Sequence, residues 1–597
     1  MFSGSFWFIR LTSLLLFYRL YGIIIYNNKN QERSSMMSLT RKMLPIGVEN
    51  FEKLRRNDMY YVDKTEIIAD LLRNHGDANL FTRPRRFGKT LTMDTLKTFF
   101  EIGQDASLFD GLAISRHSDI CAKHQNKYPV VFLSLKGAAG STYENAYSMI
   151  KQLIAEEYQC HSYLADSTVL DLVEKNQFNK IRSMSLNEGD LENSLRTLTR
   201  LLYKHHNQKV ILLIDEYDVP LDKAFLNGYY DDMINFIRIF LGGALKTNDS
   251  TEFAIVTGCL RISKESIFTG INNLKVFSIT DARFSDYFGF TNEEVKGMLS
   301  YYGIIDKYQT TKAWYDGYLF GKTEIYCPWD VLNHCDTVVH TDDAEPKAYW
   351  INSSGNDIIR KFIEMANSTT KSEIESLIAG DTVVKEIYQE LTYSELYTSI
   401  ENIWSTLFMT GYLTQRRSLG NDTYELAIPN LEIRKIFQRQ IYEWFKDFSR
   451  KDSSTLNTLC QAFAVGNAEE AQKQFTAFLR KTISIRDTYV KAAKKENFYH
   501  GILLGLLSYR DDWIVKSNVE SSDGYSDIVI KIPDDEIGMI IEVKYGEDAD
   551  MDKGCADALA QIERMNYSAI LEDDEVQTIY KYGVACYKKR CKIVKTD

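Results

Sequence analysis

The sequence predicts an α/β protein, with a parallel, doubly wound sheet in its first half, a mainly helical middle and a smaller α/β unit at its end. Three observations carry this. Short apolar runs alternate with helical periodicity between residues 40 and 283, the pattern of a buried parallel sheet with crossover helices. The first run feeds Gly88-Lys89-Thr90, and the third ends in Asp215-Glu216. Far downstream, Asp527 opens one extended run and Glu542-Val543-Lys544 closes the next. A chain of 597 residues exceeds what one core holds and implies three or four domains.

Taken in order, the chain begins with an apolar, aromatic stretch from Phe6 to Tyr26 that Arg10 and Arg19 interrupt. A spanning helix needs about 20 largely uncharged residues. Residues 1–36 therefore read better as translated upstream sequence, with the true start at Met36 or Met37, than as a weak membrane anchor. No stable membrane association is expected. Patterning starts at Leu44, and Tyr60-Tyr61 precede a helix (Ile67, Ile68, Leu71, Leu72). These tyrosines can stack on a base, but a core role is the commoner explanation.

Asn79 to Thr90 then reads as strand, tight loop and helix start, the layout of a phosphate-binding loop. A helix N-terminus offers unpaired N–H groups and a positive dipole end to an anion. Lys89 is placed to reach the β/γ-phosphates of ATP, and the Thr90 hydroxyl to hold Mg²⁺. Arg83 stands where the common loop pattern has its first glycine. The expected nucleotide contacts are Arg83, Arg85, Arg86, Phe87, Gly88, Lys89 and Thr90.

Tyr128–Leu135 is a second buried strand, and residues 142–206 are helical. Val210–Ile214 is a third strand, ending at Asp215 as a Mg²⁺-coordinating carboxylate and Glu216 as the base that polarises the attacking water. Loop and acidic strand end, in this order, predict a P-loop NTPase of the additional-strand class. Phe253–Gly258 places Thr257 where a sensor hydroxyl feels the γ-phosphate. Lys275–Ile279 makes a fifth strand, and Arg261 is a candidate sensor or arginine finger, with a surface salt bridge as its bland alternative.

These residues resemble a known family. Arg-Pro-Arg-Arg-Phe-Gly-Lys-Thr (83–90), Ile-Asp-Glu-Tyr-Asp-Val-Pro-Leu (214–221) and Thr-Gly-Cys-Leu-Arg-Ile-Ser-Lys-Glu-Ser-Ile-Phe (257–268) look like the bacterial AAA-ATPase-like family, over residues 40 to 330. The resemblance makes the arginine in place of glycine a family trait. It also implies a small PD-(D/E)xK nuclease-like domain at the C-terminus.

Between the two, Thr291 and Glu294 fit a capping box that opens a helical lid. Trp314–Tyr318 and Tyr326–Trp329 mark aromatic corners. Residues 402–440 read helix, strand, Gly420-Asn421-Asp422 turn, strand, helix, a winged-helix-like unit whose Arg416 and Arg417 can meet phosphates. Residues 451–482 form a helical connector. In the last unit (483–597), alternation puts Glu542 and Lys544 on one strand face, opposite Val543. Asp527 and Glu542 can bind Mg²⁺ and Lys544 can orient the water or stabilise the phosphorane. Glu496 opens a helix where the superfamily often has a further acidic ligand, Gln561 resembles its helix glutamine, and Glu520 is a weaker ligand candidate.

The net charge of −11 excludes global attraction to nucleic acid, so any contact needs a local basic patch. Nine cysteines without a Cys-x-x-Cys pair give no zinc ribbon or disulfide framework and favour a cytoplasmic setting. The expected partners are ATP and DNA or RNA, with a homo-oligomer left open. The leading reading is an ATPase coupled to a Mg²⁺-dependent nuclease-like domain; the alternative is a non-catalytic, nucleotide-dependent regulatory binder.

Overall fold

The computed structural model describes residues 41–596 apart from 262–267, 269–273, 342–343, 351–356, 394, 397, 452, 483–491, 509, 511, 522–523, 547–549, 569–570 and 572–575. The expectation for residues 1–36 lies outside the described residues.

The first half is built on a five-stranded, all-parallel sheet: β1 (Ala78–Thr82), β2 (Val130–Ser134), β3 (Val210–Asp215), β4 (Thr251–Gly258) and β5 (Leu274–Phe277), in the order β2-β3-β4-β1-β5. Every residue of β1 and β3 is buried, as both-face coverage by helices requires of a central parallel strand. Strand β4 lies between β1 and β3, so the loop strand and the acidic strand are separated by one added strand. That order sets the ends of β1, β4 and β3 side by side. The loop helix α1 (Lys89–Phe100) follows β1 directly.

Beyond β5, Thr291 caps the helix Asn292–Tyr301 in a two-way capping box with Glu294, as the sequence predicts. A short antiparallel pair, β6 (Tyr318–Phe320) and β7 (Thr323–Ile325), follows. Tyr315, Tyr318 and Tyr326 are fully buried, which makes the aromatic segments packed corners. Helix α2 (Ile400–Met409), strands β9 (Thr414–Gly420) and β10 (Thr423–Ala427), and helix α3 (Leu431–Lys451) realise the expected helix–strand–turn–strand–helix order. The sequence reading lacks β8 (Val383–Glu386), which completes a sheet ordered β8-β10-β9. On this wing Arg416 donates to the carbonyls of Gly317, Ile428 and Pro429, and Arg417 pairs with Glu425 at 3.3 Å. Both guanidinium groups thus have partners inside the fold.

Two helices, Ser453–Ala464 and Ala468–Thr482, lead to a second five-stranded sheet: β11 (Ile514–Ser521), β12 (Gly524–Ile532), β13 (Ile537–Tyr545), β14 (Thr578–Tyr587) and β15 (Arg590–Thr596). Only β13 and β14 pair in parallel. Ile528, Ile530, Ile541 and Val543 face a core shared with those two helices and with α4 (Ala492–Leu507). Val529 and Ile540 face the other way, packing with Ile562 of α5 (Met551–Arg564). Among the described residues no helix is long and apolar enough to cross a membrane.

Candidate functional site

At the end of β1 the loop turns sharply into α1. Gly88 caps the helix with φ +84°, a conformation that costs glycine nothing. Arg86 also adopts a left-handed φ of 72°. Lys89 is buried, and its Nζ donates to the carbonyls of Arg83 (3.1 Å) and Pro84 (3.0 Å). The ammonium therefore sits inside the loop.

The neighbouring strand ends converge on Asp215. Thr90 Oγ1 donates to its Oδ2 at 2.8 Å, and Thr257 Oγ1 to its Oδ1 at 2.5 Å. Thr257 Oγ1 in turn accepts from the Glu216 N–H at 3.3 Å. Three parallel strands with one added between β1 and β3 are what bring a hydroxyl from the loop, a carboxylate and a second hydroxyl together. Glu216 has a left-handed φ of 52°, which turns it out of strand direction. Burial raises its carboxyl pKa; Lys89 opposes that shift and Asp215 adds to it.

A cavity of about 610 Å³ opens over this point, within the size range of small-molecule and cofactor sites. Arg85, Arg86, Gly88, Lys89, Thr90 and Glu216 line it, together with the aromatic side chains of Tyr60, Tyr287 and Trp329. The Arg86 guanidinium lies 4.3 Å over the Trp329 ring.

The second cluster forms where β12 and β13 run antiparallel with Ile528 opposite Ile541. Asp527 is thereby set beside Glu542. Its Oδ2 accepts from the Val543 N–H at 2.8 Å, and its own N–H points at Glu542 Oε2 at 3.4 Å. Lys544 Nζ lies 3.1 Å from Glu542 Oε1, to which Gln561 Nε2 on α5 also donates at 2.5 Å. From α4, Glu496 accepts from the Tyr545 N–H at 3.2 Å and lies 3.7 Å from Lys544. Burial, then the neighbouring Asp527, push the Glu542 carboxyl up to about 7. Burial likewise raises Glu496.

Both clusters fit Mg²⁺. Each offers hard oxygen donors, and Asp527 and Glu542 are two carboxylates whose mutual repulsion a cation relieves. Among the described residues no group of three or more His, Cys, Asp or Glu forms a metal cage.

Comparison with known families agrees with this geometry. Residues 45–268 match the family described as "Predicted AAA-ATPase", and residues 494–596 match the PD-(D/E)XK nuclease superfamily. The chain joins an AAA-ATPase-like domain to a PD-(D/E)XK nuclease-superfamily domain. A protein of Azotobacter chroococcum mcd 1, described as an uncharacterized protein in the vnfD 5' region, is 27% identical over 403 residues, which cover 66% of this chain and 69% of that one.

Three expected nucleotide-site residues of the AAA-ATPase-like domain are placed differently from the rest. Arg83 is fully buried and does not line the cavity. Its guanidinium donates to the carbonyls of Thr82 (2.9 Å), Phe277 (2.8 Å) and Phe284 (3.2 Å), and lies 5.1 and 5.5 Å from the Phe288 and Phe320 ring centroids. Burial lowers its pKa to about 10. Arg83 is thus a strut joining the loop to the end of β5. Arg83→Met leaves those carbonyls without a donor, and chemical denaturation is expected to show a loss of at least about 3 kcal/mol, since each unsatisfied buried group costs ~1–3 kcal/mol. Phe87 borders the cavity, but its ring is buried against Tyr318 and Phe320. Arg261 pairs with Glu390 at 2.7 Å, away from the loop cavity.

Tyr217 and Asp218 belong to the 214–221 motif, but the sequence gives no sign of what their side chains do. Asp218 is buried and accepts from the Cys259 and Leu260 N–H groups at 2.7 and 3.1 Å, and the Tyr217 hydroxyl donates to Leu260 O at 2.8 Å. A Cβ at Gly258 would stand 2.6 Å from the Tyr217 ring, so the glycine after Thr257 is what lets this clamp close.

In the nuclease-superfamily domain, His500 Nε2 lies 3.0 Å from Asp527 O, and Tyr567 OH accepts from Gln561 at 3.4 Å. Neither role had a signal in the sequence. Glu520 stands on β11 in register with Tyr525, but its side chain lies outside the described residues.

Proposed function

We propose that the protein binds and hydrolyses ATP in its first half and that this activity is coupled to Mg²⁺-dependent action of the C-terminal domain on nucleic acid. The Thr90–Asp215–Thr257 network is the observation that carries the ATPase reading, because it sets a loop hydroxyl against an acidic strand end directly beside Lys89. Lys89 binds the β/γ-phosphates, Thr90 and Asp215 hold Mg²⁺, Thr257 registers the γ-phosphate, and Glu216 takes a proton from the attacking water. A cation held there would supply charge neutralisation at the phosphates.

In the C-terminal domain Asp527 and Glu542 would hold Mg²⁺, which when bound would lower the pKa of a water. Lys544 would orient the attacking water or stabilise charge on the phosphate oxygens. Gln561 and Lys544 keep the Glu542 carboxylate fixed in place. All nine cysteines are free thiols, which supports a reducing, cytoplasmic setting.

The test is cleavage of mixed single- and double-stranded DNA and RNA with Mg²⁺, with and without ATP, beside a chelator control. Cleavage that needs Mg²⁺ and changes with ATP is the expected result. Nucleotide binding with no cleavage of any substrate would instead favour a regulatory binder.

A further inference from the structure

A chain carrying a net charge of −11 repels polynucleotides except where basic residues collect locally. The β14–β15 hairpin is such a place. Residues 578–596 contain Lys581, Lys588, Lys589, Arg590, Lys592 and Lys595 and no acidic residue. Lys581 and Lys592 are neutralised by Glu563 and Asp552. Among the described residues no carboxylate pairs with Lys589 or Arg590, and Arg590 is exposed.

The position of the turn matters as much as its charge. Lys544 pairs with Ala585 and Tyr545 with Cys586 across the parallel strands. The turn therefore begins two residues beyond the partner of Lys544, about 7 Å along the strand. The Tyr499 hydroxyl on α4 donates to Lys588 O at 2.7 Å and pins the turn at that edge. There Tyr545 and Tyr587, both half-buried, stand with ring centroids 5.7 Å apart, with Tyr499 stacked against Tyr545 at 6.2 Å. Lys588 Nζ lies 5.1 Å over the Tyr587 ring.

Aromatic rings beside exposed cations are how proteins hold single strands: cations track the backbone, and aromatic faces stack on bases that a duplex keeps covered. We propose that the Tyr587–Arg590 turn is the docking element for a single-stranded polynucleotide, holding phosphates next to the one at Lys544. The proposal rests on the nuclease reading of that site and names its substrate class.

The experiment measures binding of a labelled single-stranded oligonucleotide, and of the duplex of equal length, to the full chain in EDTA, so that no cleavage is required. The K589E/R590E double variant is expected to weaken single-strand binding at least tenfold and to flatten its salt dependence, by a slope of about 1 to 2. Tyr587→Ala is expected to weaken the single strand about tenfold and the duplex little, in line with ~1–3 kcal/mol per stacked base. Unchanged single-strand binding in K589E/R590E overturns the proposal, as does a wild type that prefers duplex. Arg590→Ala, at an exposed position, guards against misfolding as the cause of a loss. Binding that follows these expectations without cleavage in Mg²⁺ would leave the docking surface standing and remove the nuclease reading.

Discussion

Lys89→Ala is expected to abolish ATP turnover and to weaken nucleotide binding by about ten- to a hundredfold. The Lys89 ammonium already sits among loop carbonyls, at Arg83 O and Pro84 O, so it needs only a small movement to meet a phosphate. A charge-assisted hydrogen bond of that kind contributes ~1.5–3 kcal/mol. Glu216→Gln should behave differently. The amide keeps the size and the left-handed backbone turn at φ 52° but cannot accept a proton, so turnover should fall about 10²- to 10⁴-fold with binding retained. Burial already raises the Glu216 carboxyl, which brings it nearer the working pH of a general base. Phosphate release, measured beside binding of a fluorescent ATP analogue, separates the two variants. Equal loss of binding in both would remove Glu216 from the catalytic role.

The contrast between these residues and Arg83 shows what a sequence can disclose. The positions of Gly88-Lys89-Thr90 and Asp215-Glu216 are legible in the sequence because each lies at a strand end, and strand ends follow from apolar runs. Arg83 sits in the same loop, yet its carbonyl partners at Phe277 and Phe284 are 194 and 201 residues away. Nothing near residue 83 announces them. The same holds for Asp218, whose amide partners lie across the sheet at Cys259 and Leu260.

In the C-terminal half the alternation of Glu542, Val543 and Lys544 fixed which side chains share a face, and the structure keeps that arrangement. Strands β8, β11 and β15 were not foreseen. β8 is four residues long, and β15 mixes Arg590, Lys592 and Lys595 with apolar residues. Such short or charge-interrupted edge strands form because a neighbour offers backbone partners, which period alone does not reveal.

At the second site, Asp527→Ala and Glu542→Gln are each expected to lower Mg²⁺-dependent cleavage at least about 10²-fold, and Glu542 makes a further, pH-dependent prediction. Burial and Asp527 push its carboxyl up to about 7, so below that pH it holds a proton that a cation must displace. The Mg²⁺ concentration for half-maximal cleavage should rise about tenfold per pH unit below 7 and level off above it, as one competing proton requires. Stability carries the opposite sign. A carboxyl whose folded pKa is raised contributes stability that is fully present below its unfolded value of about 4.3 and is lost as pH rises through about 7. Without Mg²⁺ the thermal midpoint should therefore decline across that window, and adding Mg²⁺ at pH 8 should restore it by binding the folded state. Glu542→Gln stays neutral throughout and should flatten the decline while keeping its loss of cleavage. A wild-type midpoint indifferent to Mg²⁺ at pH 8 would mean that the carboxylate pair binds no cation, and the cleavage chemistry assigned to Asp527, Glu542 and Lys544 would fall with it.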